Sequence, residues 1–161
     1  MPDTKTTSIP TSAARKGVNV WSDEERAAMQ ASARERKASA GRKPDEARAE
    51  GLKDLRESLA KMPADDRAMG QRIHEIVTKA VPALVPKTYY GMPAYAREGK
   101  DGKVIAFFKP KSKFRVRYST FGFQPDASLD EGEMWATEFA VTEVTPKVES
   151  RISELVKKAA G

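Results

Sequence analysis

Carboxylates are the first side chains in this sequence that could do chemistry. Asp130, Glu131 and Glu133 crowd one short segment, and a second acidic set lies at helical spacing between residues 46 and 57. Carboxylate oxygens are the ligands that hard cations prefer. A solvated surface has the same composition, because interleaved Lys and Arg side chains can neutralise the acids. The three carboxylates at 130–133 are therefore candidate metal ligands, with a plain surface as the alternative.

Tyrosines form the second group. The segment from Thr88 to Tyr95 contains three Tyr together with Gly and Pro. One interpretation is a corner of the core, in which rings fill volume and Gly allows an unusual backbone; the other is a pocket wall that offers hydroxyl groups. The candidate ligand-pocket residues are Tyr89, Tyr90, Met92, Tyr95 and Trp135.

Several kinds of chemistry are excluded by composition. The chain has no Cys and one His, which rules out disulfide scaffolds, thiolate zinc sites, iron–sulfur ligation and cysteine nucleophiles. His74 follows Ile73 beside an apolar helical stripe, so we predict a partly buried structural imidazole and not a metal ligand. The nucleotide-binding and nucleophile-elbow motifs are absent. We therefore predict a protein that is not an enzyme, has no catalytic residues and requires no cofactor.

Positive charge is concentrated in one segment. Residues 86–120 contain nine basic and two acidic residues, whereas the rest of the chain is nearly neutral. In the predicted strand Phe114–Thr120, Arg115 and Arg117 alternate with apolar side chains, so one face should be core and the other cationic. Lys113, Arg115 and Arg117 are the candidate basic surface. We expect later acidic residues to lie across this strand and compensate it, which makes nucleic-acid binding unlikely.

The elements that must position these groups suggest one α+β domain with appendages. Residues 1–20 have the composition of a disordered tail. Residues 21–62 read as a helical arm, opened by a capping box at Ser22–Glu25 and continued from Pro44. Residues 63–161 should fold alone, as a helix, an antiparallel sheet of about five strands and a closing helix that begins near Thr145. The predicted strands are Lys87–Tyr90, Ala94–Arg97, Val104–Lys109, Phe114–Thr120 and Ala136–Val141.

Apolar runs in the sequence are short. The longest reach only about five residues, as in Val104–Phe108, far below the roughly 20 needed to cross a bilayer. No apolar segment follows Lys5 to form a signal peptide. We therefore expect a cytoplasmic protein without membrane association.

Residues 63–161 also carry a set of motifs that belong together. They are the helix Arg72–Val77 before Pro82, the stretch Lys87–Tyr95 with its Tyr-Gly-Met-Pro sequence, Phe107-Phe108, Phe121–Phe123, Asp130–Trp135 and Thr145-Pro146. In these motifs the segment resembles the YdhG-like domain of unknown function, a family that includes a frataxin-like iron chaperone. The Tyr-Gly-Met-Pro sequence is the most specific of them.

The resemblance implies an α+β domain with an antiparallel sheet and packed helices. For function it implies a small binding protein in iron binding or delivery, with iron or an iron-acceptor protein as partner. Two other functions stay open. One is weak nucleic-acid binding by the basic hairpin 97–117, and the other is a module that binds a small ligand or a protein.

Overall fold

A computed structural model describes residues 21–39, 43–99 and 101–161; the predicted tail, residues 1–20, lies outside the described residues. Three helices precede a five-stranded antiparallel sheet, and a further helix closes the chain. The α+β class and the helical N-terminal portion are thereby confirmed. The elements are α1 (Asp23–Ser39), α2 (Pro44–Ala60), α3 (Ala64–Ala80), β1 (Val85–Tyr89), β2 (Met92–Ala96), β3 (Val104–Lys109), α4 (Lys111–Phe114), β4 (Ser119–Phe123), β5 (Glu138–Val141) and α5 (Pro146–Ala160).

The sheet is a meander in which each strand pairs with its neighbour in the chain, in the order β1-β2-β3-β4-β5. Tyr89 pairs with Met92, so Tyr90 and Gly91 alone make the connection between β1 and β2. Both have positive φ, 51° and 76°. This is the pattern of a type I′ turn, whose twist matches that of the strands it joins.

One face of the sheet lies under α2, α3 and α5 and holds the main core. The stripe predicted on α3 is confirmed, since Ile73, Ile76 and Val77 are all buried. They belong to one cluster with sheet and α5 residues that include Tyr95, Phe108, Phe121, Ile152 and Val156. Burying an aliphatic or aromatic side chain of this size contributes about 1.5 to 3 kcal/mol, so this cluster dominates the stability of the fold.

Helix α2 is part of the same core. Leu55 is 0% exposed and Leu59 is buried beside it, both within the main cluster. A Cβ at Gly51 would lie 2.1 Å from the main-chain oxygen of Pro86, so this glycine lets the helix touch the backbone of β1. The predicted boundary between residues 62 and 63 therefore runs through a shared core.

The opposite face of the sheet carries a smaller cluster of Met92, Ala94 and Phe107. The ring of Phe107 occupies the space that a side chain at Gly122 would need. Helix α1 covers only part of this face. It begins as predicted, because the Ser22 amide donates to the Glu25 carboxylate at 2.8 Å and the Glu25 amide donates to Ser22 Oγ at 3.1 Å.

The fourth predicted strand, Phe114–Thr120, is wrong. The chain makes the single helical turn α4, Arg115 takes a left-handed conformation (φ 52°), and the strand starts only at Ser119. Val116 and Tyr118 are 47% and 36% exposed, so they do not point into the core.

The cause of this change is a long-range contact. Asp66, buried in the first turn of α3, accepts hydrogen bonds from the amide and the hydroxyl of Ser112. The hydroxyl of Ser119 accepts from the amide of Lys111 at 3.0 Å. These bonds stabilise the helical turn over the extended form that the alternation favoured.

None of the helices in the described ranges, which leave out 1–20, 40–42 and 100, is long and apolar enough to span a membrane.

Candidate functional site

A cleft of about 320 Å³ lies between α1 and the uncovered face of β1. Its lining includes Ser32 and Glu35 from α1, Lys87, Tyr89 and Tyr90 from β1 and its turn, and Lys103 before β3. Lys87 and Tyr89 share this face because side chains two residues apart in a strand point the same way. Two of the five predicted pocket residues, Tyr89 and Tyr90, thus lie in one cleft.

The tyrosine rings give the cleft an aromatic wall. Tyr89 and Tyr90 meet edge to face with centroids 4.5 Å apart, and Tyr89 lies 6.0 Å from Phe107. Burial raises the pKa of the Tyr89 hydroxyl above its ordinary value, and the charge of Tyr90 and a side-chain hydrogen bond with Tyr90 raise it further. The hydroxyl is therefore neutral at physiological pH and can donate a hydrogen bond.

The charges in the cleft are only partly paired. Lys103 Nζ lies 3.4 Å from a carboxylate oxygen of Asp126, and both groups line the cleft. Lys87 has no ion pair with any residue that the structure describes. An anion in the cleft would therefore meet an uncompensated ammonium beside a hydroxyl donor.

The Tyr90–Gly91 turn, whose Tyr90 lines the cleft, is held by three helices. Glu35 of α1 accepts from the Tyr90 amide at 3.1 Å and from the Gly91 amide at 2.8 Å, one carboxylate oxygen for each. Ser58 of α2 donates to the Gly91 carbonyl at 2.7 Å. Lys113 of α4 donates to the Tyr90 carbonyl at 2.5 Å.

The other predicted pocket residues lie elsewhere. Met92 is buried in the small cluster beneath the cleft. Tyr95 is buried on the opposite face, with its hydroxyl 3.0 Å from His74 Nδ1. His74 is half-buried and paired in this way, as predicted; burial lowers its pKa and raises that of Tyr95. Trp135 lines a different cleft, together with Glu131 of the acidic loop and Lys158 of α5.

The acidic loop 130–133 holds the predicted metal ligands Asp130, Glu131 and Glu133, all exposed. Glu131 accepts from Lys158 of α5 at 2.6 Å, and this contact lowers the pKa of Glu131. In the described part of the chain, no three His, Asp or Glu side chains form a group that could hold a metal ion.

The predicted basic surface is divided between different contacts. Lys113 is half-buried against the turn, while Arg115 pairs with Glu24 of α1 at 2.9 Å. The Arg117 guanidinium lies over the ring of Tyr118, 5.1 Å from its centroid. These three side chains do not form the single cationic face that the strand pattern predicted, since the strand itself is replaced by α4.

The acids that compensate this segment also differ from those predicted. Glu24 pairs with Arg115, and Asp65 of α3 pairs with Lys111 at 3.0 Å. Among the described residues, the acidic loop forms its ion pair with Lys158 of α5 and not with the basic segment. Two of the neutralising groups therefore come from helices before the sheet, while Asp126, which follows β4, pairs with Lys103. The prediction that the acids of the loop 130–133 compensate the basic strand is wrong.

Sequence reasoning missed Glu35, Ser58 and Lys87 as site residues. A signal for Glu35 was present: Ala28, Ser32 and Glu35 lie at i, i+4 and i+7, one face of a helix, and the first two are the buried residues of α1. Two small residues followed by an acid on one face of a helix indicate that this face packs closely against the rest of the protein and that the acid bonds to a group there.

Comparison of the chain with protein-family models, with curated proteins and with solved structures found no match. The YdhG-like resemblance therefore stays a prediction from the sequence.

Proposed function

We propose that this chain is a small non-catalytic binding protein that takes up a small organic anion in the cleft between α1 and β1. The observation that carries the proposal is the pair Lys87 and Tyr89. One supplies an ammonium group without an ion pair in the described residues, and the other a neutral hydroxyl donor on an aromatic wall.

The ligand class follows from these groups. An anionic group would bond to Lys87 and to the Tyr89 hydroxyl, since charge-assisted hydrogen bonds are the stronger kind. A flat apolar part would contact the rings of Tyr89 and Tyr90. A small aromatic or unsaturated carboxylate meets both requirements and fits the cleft volume of about 320 Å³, which is at the small end for ligand pockets.

Benzoate is a suitable probe, and the test is an NMR titration of the ¹⁵N-labelled full chain. We expect saturable shifts of the amides of residues 87–91 with a dissociation constant of roughly 1 to 10 mM, as for a ligand of so few atoms. Lys87→Gln should weaken binding about tenfold, which corresponds to about 1.4 kcal/mol.

Two controls define the result. Lys53→Gln removes an exposed lysine of α2 outside the cleft and should leave benzoate binding unchanged. Benzyl alcohol, which keeps the ring and lacks the charge, should bind more weakly than benzoate. Equal affinity in the Lys87 variant and the native chain would refute the proposal, as would the absence of shifts at residues 87–91.

Iron handling remains a proposal from the family resemblance and from the carboxylates of the acidic loop 130–133, which is the candidate site. No geometry in the described residues adds to it. A cytoplasmic location likewise rests on the Cys-free composition.

A further inference from the structure

We propose that the Tyr90–Gly91 turn is a carboxylate-binding notch, and that Glu35 of α1 is a built-in occupant which a carboxylate on the ligand replaces. The inference rests on the proposed function, because Tyr90 and Glu35 line the same cleft. The part of α1 that carries Glu35 would then be a strap over the notch, and its release from the turn would accompany binding there.

The backbone geometry of the turn suits a bound carboxylate. Two successive residues with positive φ, here 51° and 76°, direct their adjacent N–H groups to one side of the chain. Paired N–H groups of this kind form a concave anion site. The two oxygens of Glu35 are shared out between them, Oε2 to Tyr90 and Oε1 to Gly91, at 3.1 and 2.8 Å. The notch thus already binds a carboxylate, though one from its own chain.

The positive charge of Lys113 lies beside the notch. Lys113 is half-buried, and its Nζ donates to the carbonyl of Tyr90. A Cβ at Gly91 would lie 2.7 Å from this nitrogen, so the ammonium group sits directly against the turn. If Glu35 left, the notch would keep a partly desolvated cation and two N–H donors without an acceptor. Such a set favours an incoming carboxylate over an empty site.

Helix α1 is weakly attached to the rest of the protein. Among the α1 side chains that the structure describes, only Ala28 and Ser32 are buried, whereas α2 buries Leu55 and Leu59. The ion pair of Glu24 is with Arg115, whose side chain is 82% exposed, and such pairs add little. Little apolar burial therefore opposes the release of α1.

Competition with Glu35 has a measurable consequence. A ligand that needs the notch can bind only those molecules in which Glu35 has left it. Its apparent affinity is therefore the intrinsic affinity multiplied by the fraction of molecules with a free notch. Glu35→Ala removes this competitor, so acetate should bind at the amides of Tyr90 and Gly91 several-fold more tightly in this variant than in the native chain. A purely structural role for Glu35 predicts equal or weaker binding.

The direct test uses acetate to fill the notch in trans. Glu35→Ala should lower the melting temperature, and 0.1 M sodium acetate should recover part of this loss compared with 0.1 M sodium chloride. The matched control is Glu24→Ala, which removes the other acidic tether of α1 without touching the notch. Its melting temperature should be the same in both salts, as should that of the native chain.

Equal melting temperatures of Glu35→Ala in acetate and chloride would overturn the notch. Should Glu35→Ala fail to fold, Glu35→Gln keeps the size of the side chain and is measured in the same two salts, with the same criterion. The two proposals fail separately. If acetate stabilises Glu35→Ala but the native chain does not bind benzoate, the notch is supported and the proposed function of the cleft is refuted. If benzoate binding depends on Lys87 but acetate does not stabilise Glu35→Ala, the function of the cleft is supported and the notch is refuted.

Discussion

Leu55→Ala should destabilise the whole sheet domain, although the residue lies in the segment that the sequence sets apart as an arm. Leu55 is 0% exposed and belongs to the cluster that includes Ile73 and Phe108. Removing a buried leucine side chain costs about 2 to 5 kcal/mol, depending on how far the cavity collapses. Because the residue is fully buried beneath a sheet held from several sides, we expect about 3 kcal/mol or more.

The matched control is Leu52→Ala in the same helix. Leu52 is only half-buried, so its loss should cost about 1 kcal/mol. Helix propensity is unchanged between the two variants, because both replace Leu by Ala in the middle of α2. Any difference between them therefore measures burial.

Equilibrium unfolding in urea, followed by circular dichroism, gives the free energy of unfolding of each variant. One cooperative transition that shifts to lower urea in Leu55→Ala, with an unchanged slope, is the expected result. A fragment of residues 63–161 should lose this transition, whereas 43–161 should keep it. A loss below about 1 kcal/mol in Leu55→Ala, or a cooperative 63–161 fragment, would show that α2 is dispensable and refute the reasoning.

Three further predictions concern single groups. Burial lowers the pKa of His74 in the folded chain, so protonation favours unfolding; stability should fall as the pH drops below the ordinary value of 6.5, and His74→Gln should flatten this slope in urea titrations from pH 7.5 to 5. Anaerobic titration with ferrous iron should show micromolar or weaker binding that is abolished by neutralising the acidic loop 130–133, and no heat or spectral change would contradict it. Affinity for DNA or RNA at 0.15 M salt should be no tighter than ~10⁻⁶ M, and nanomolar binding lost in an Arg115→Ala, Arg117→Ala double variant would reverse this.

The parts of the fold that the sequence predicts well depend on local patterns. The capping box of α1, the stripe of α3 and the antiparallel strands of the sheet all follow from residues within a few positions of one another. The fourth strand failed because the bond between Asp66 and Ser112 joins residues far apart in the chain. No alternation within 114–120 carries that information.

In the candidate site, too, the sequence predicts the features that depend on local patterns and misses those that depend on long-range contacts. The segment from Tyr89 to Tyr95 was recognisable as a possible pocket, but the pleat of the sheet sends Tyr95 to the core and Tyr89 to the cleft. Glu35 could not be matched to its turn from the sequence, since 55 positions separate it from Tyr90. Contacts of this kind depend on how α1 docks, which periodicity does not specify.

The meander order of the sheet has a consequence for the speed of folding. Every strand pairs with the next one in the chain, so the sheet can assemble from closures of short loops, each with a small entropy cost. Folding rates rise as contacts become more local in sequence. The contacts of α1 and α2 with β1 span longer stretches of chain. We therefore expect the hairpins to form early, and α1 and α2, although they leave the ribosome before the sheet, to reach their final places only after the sheet exists.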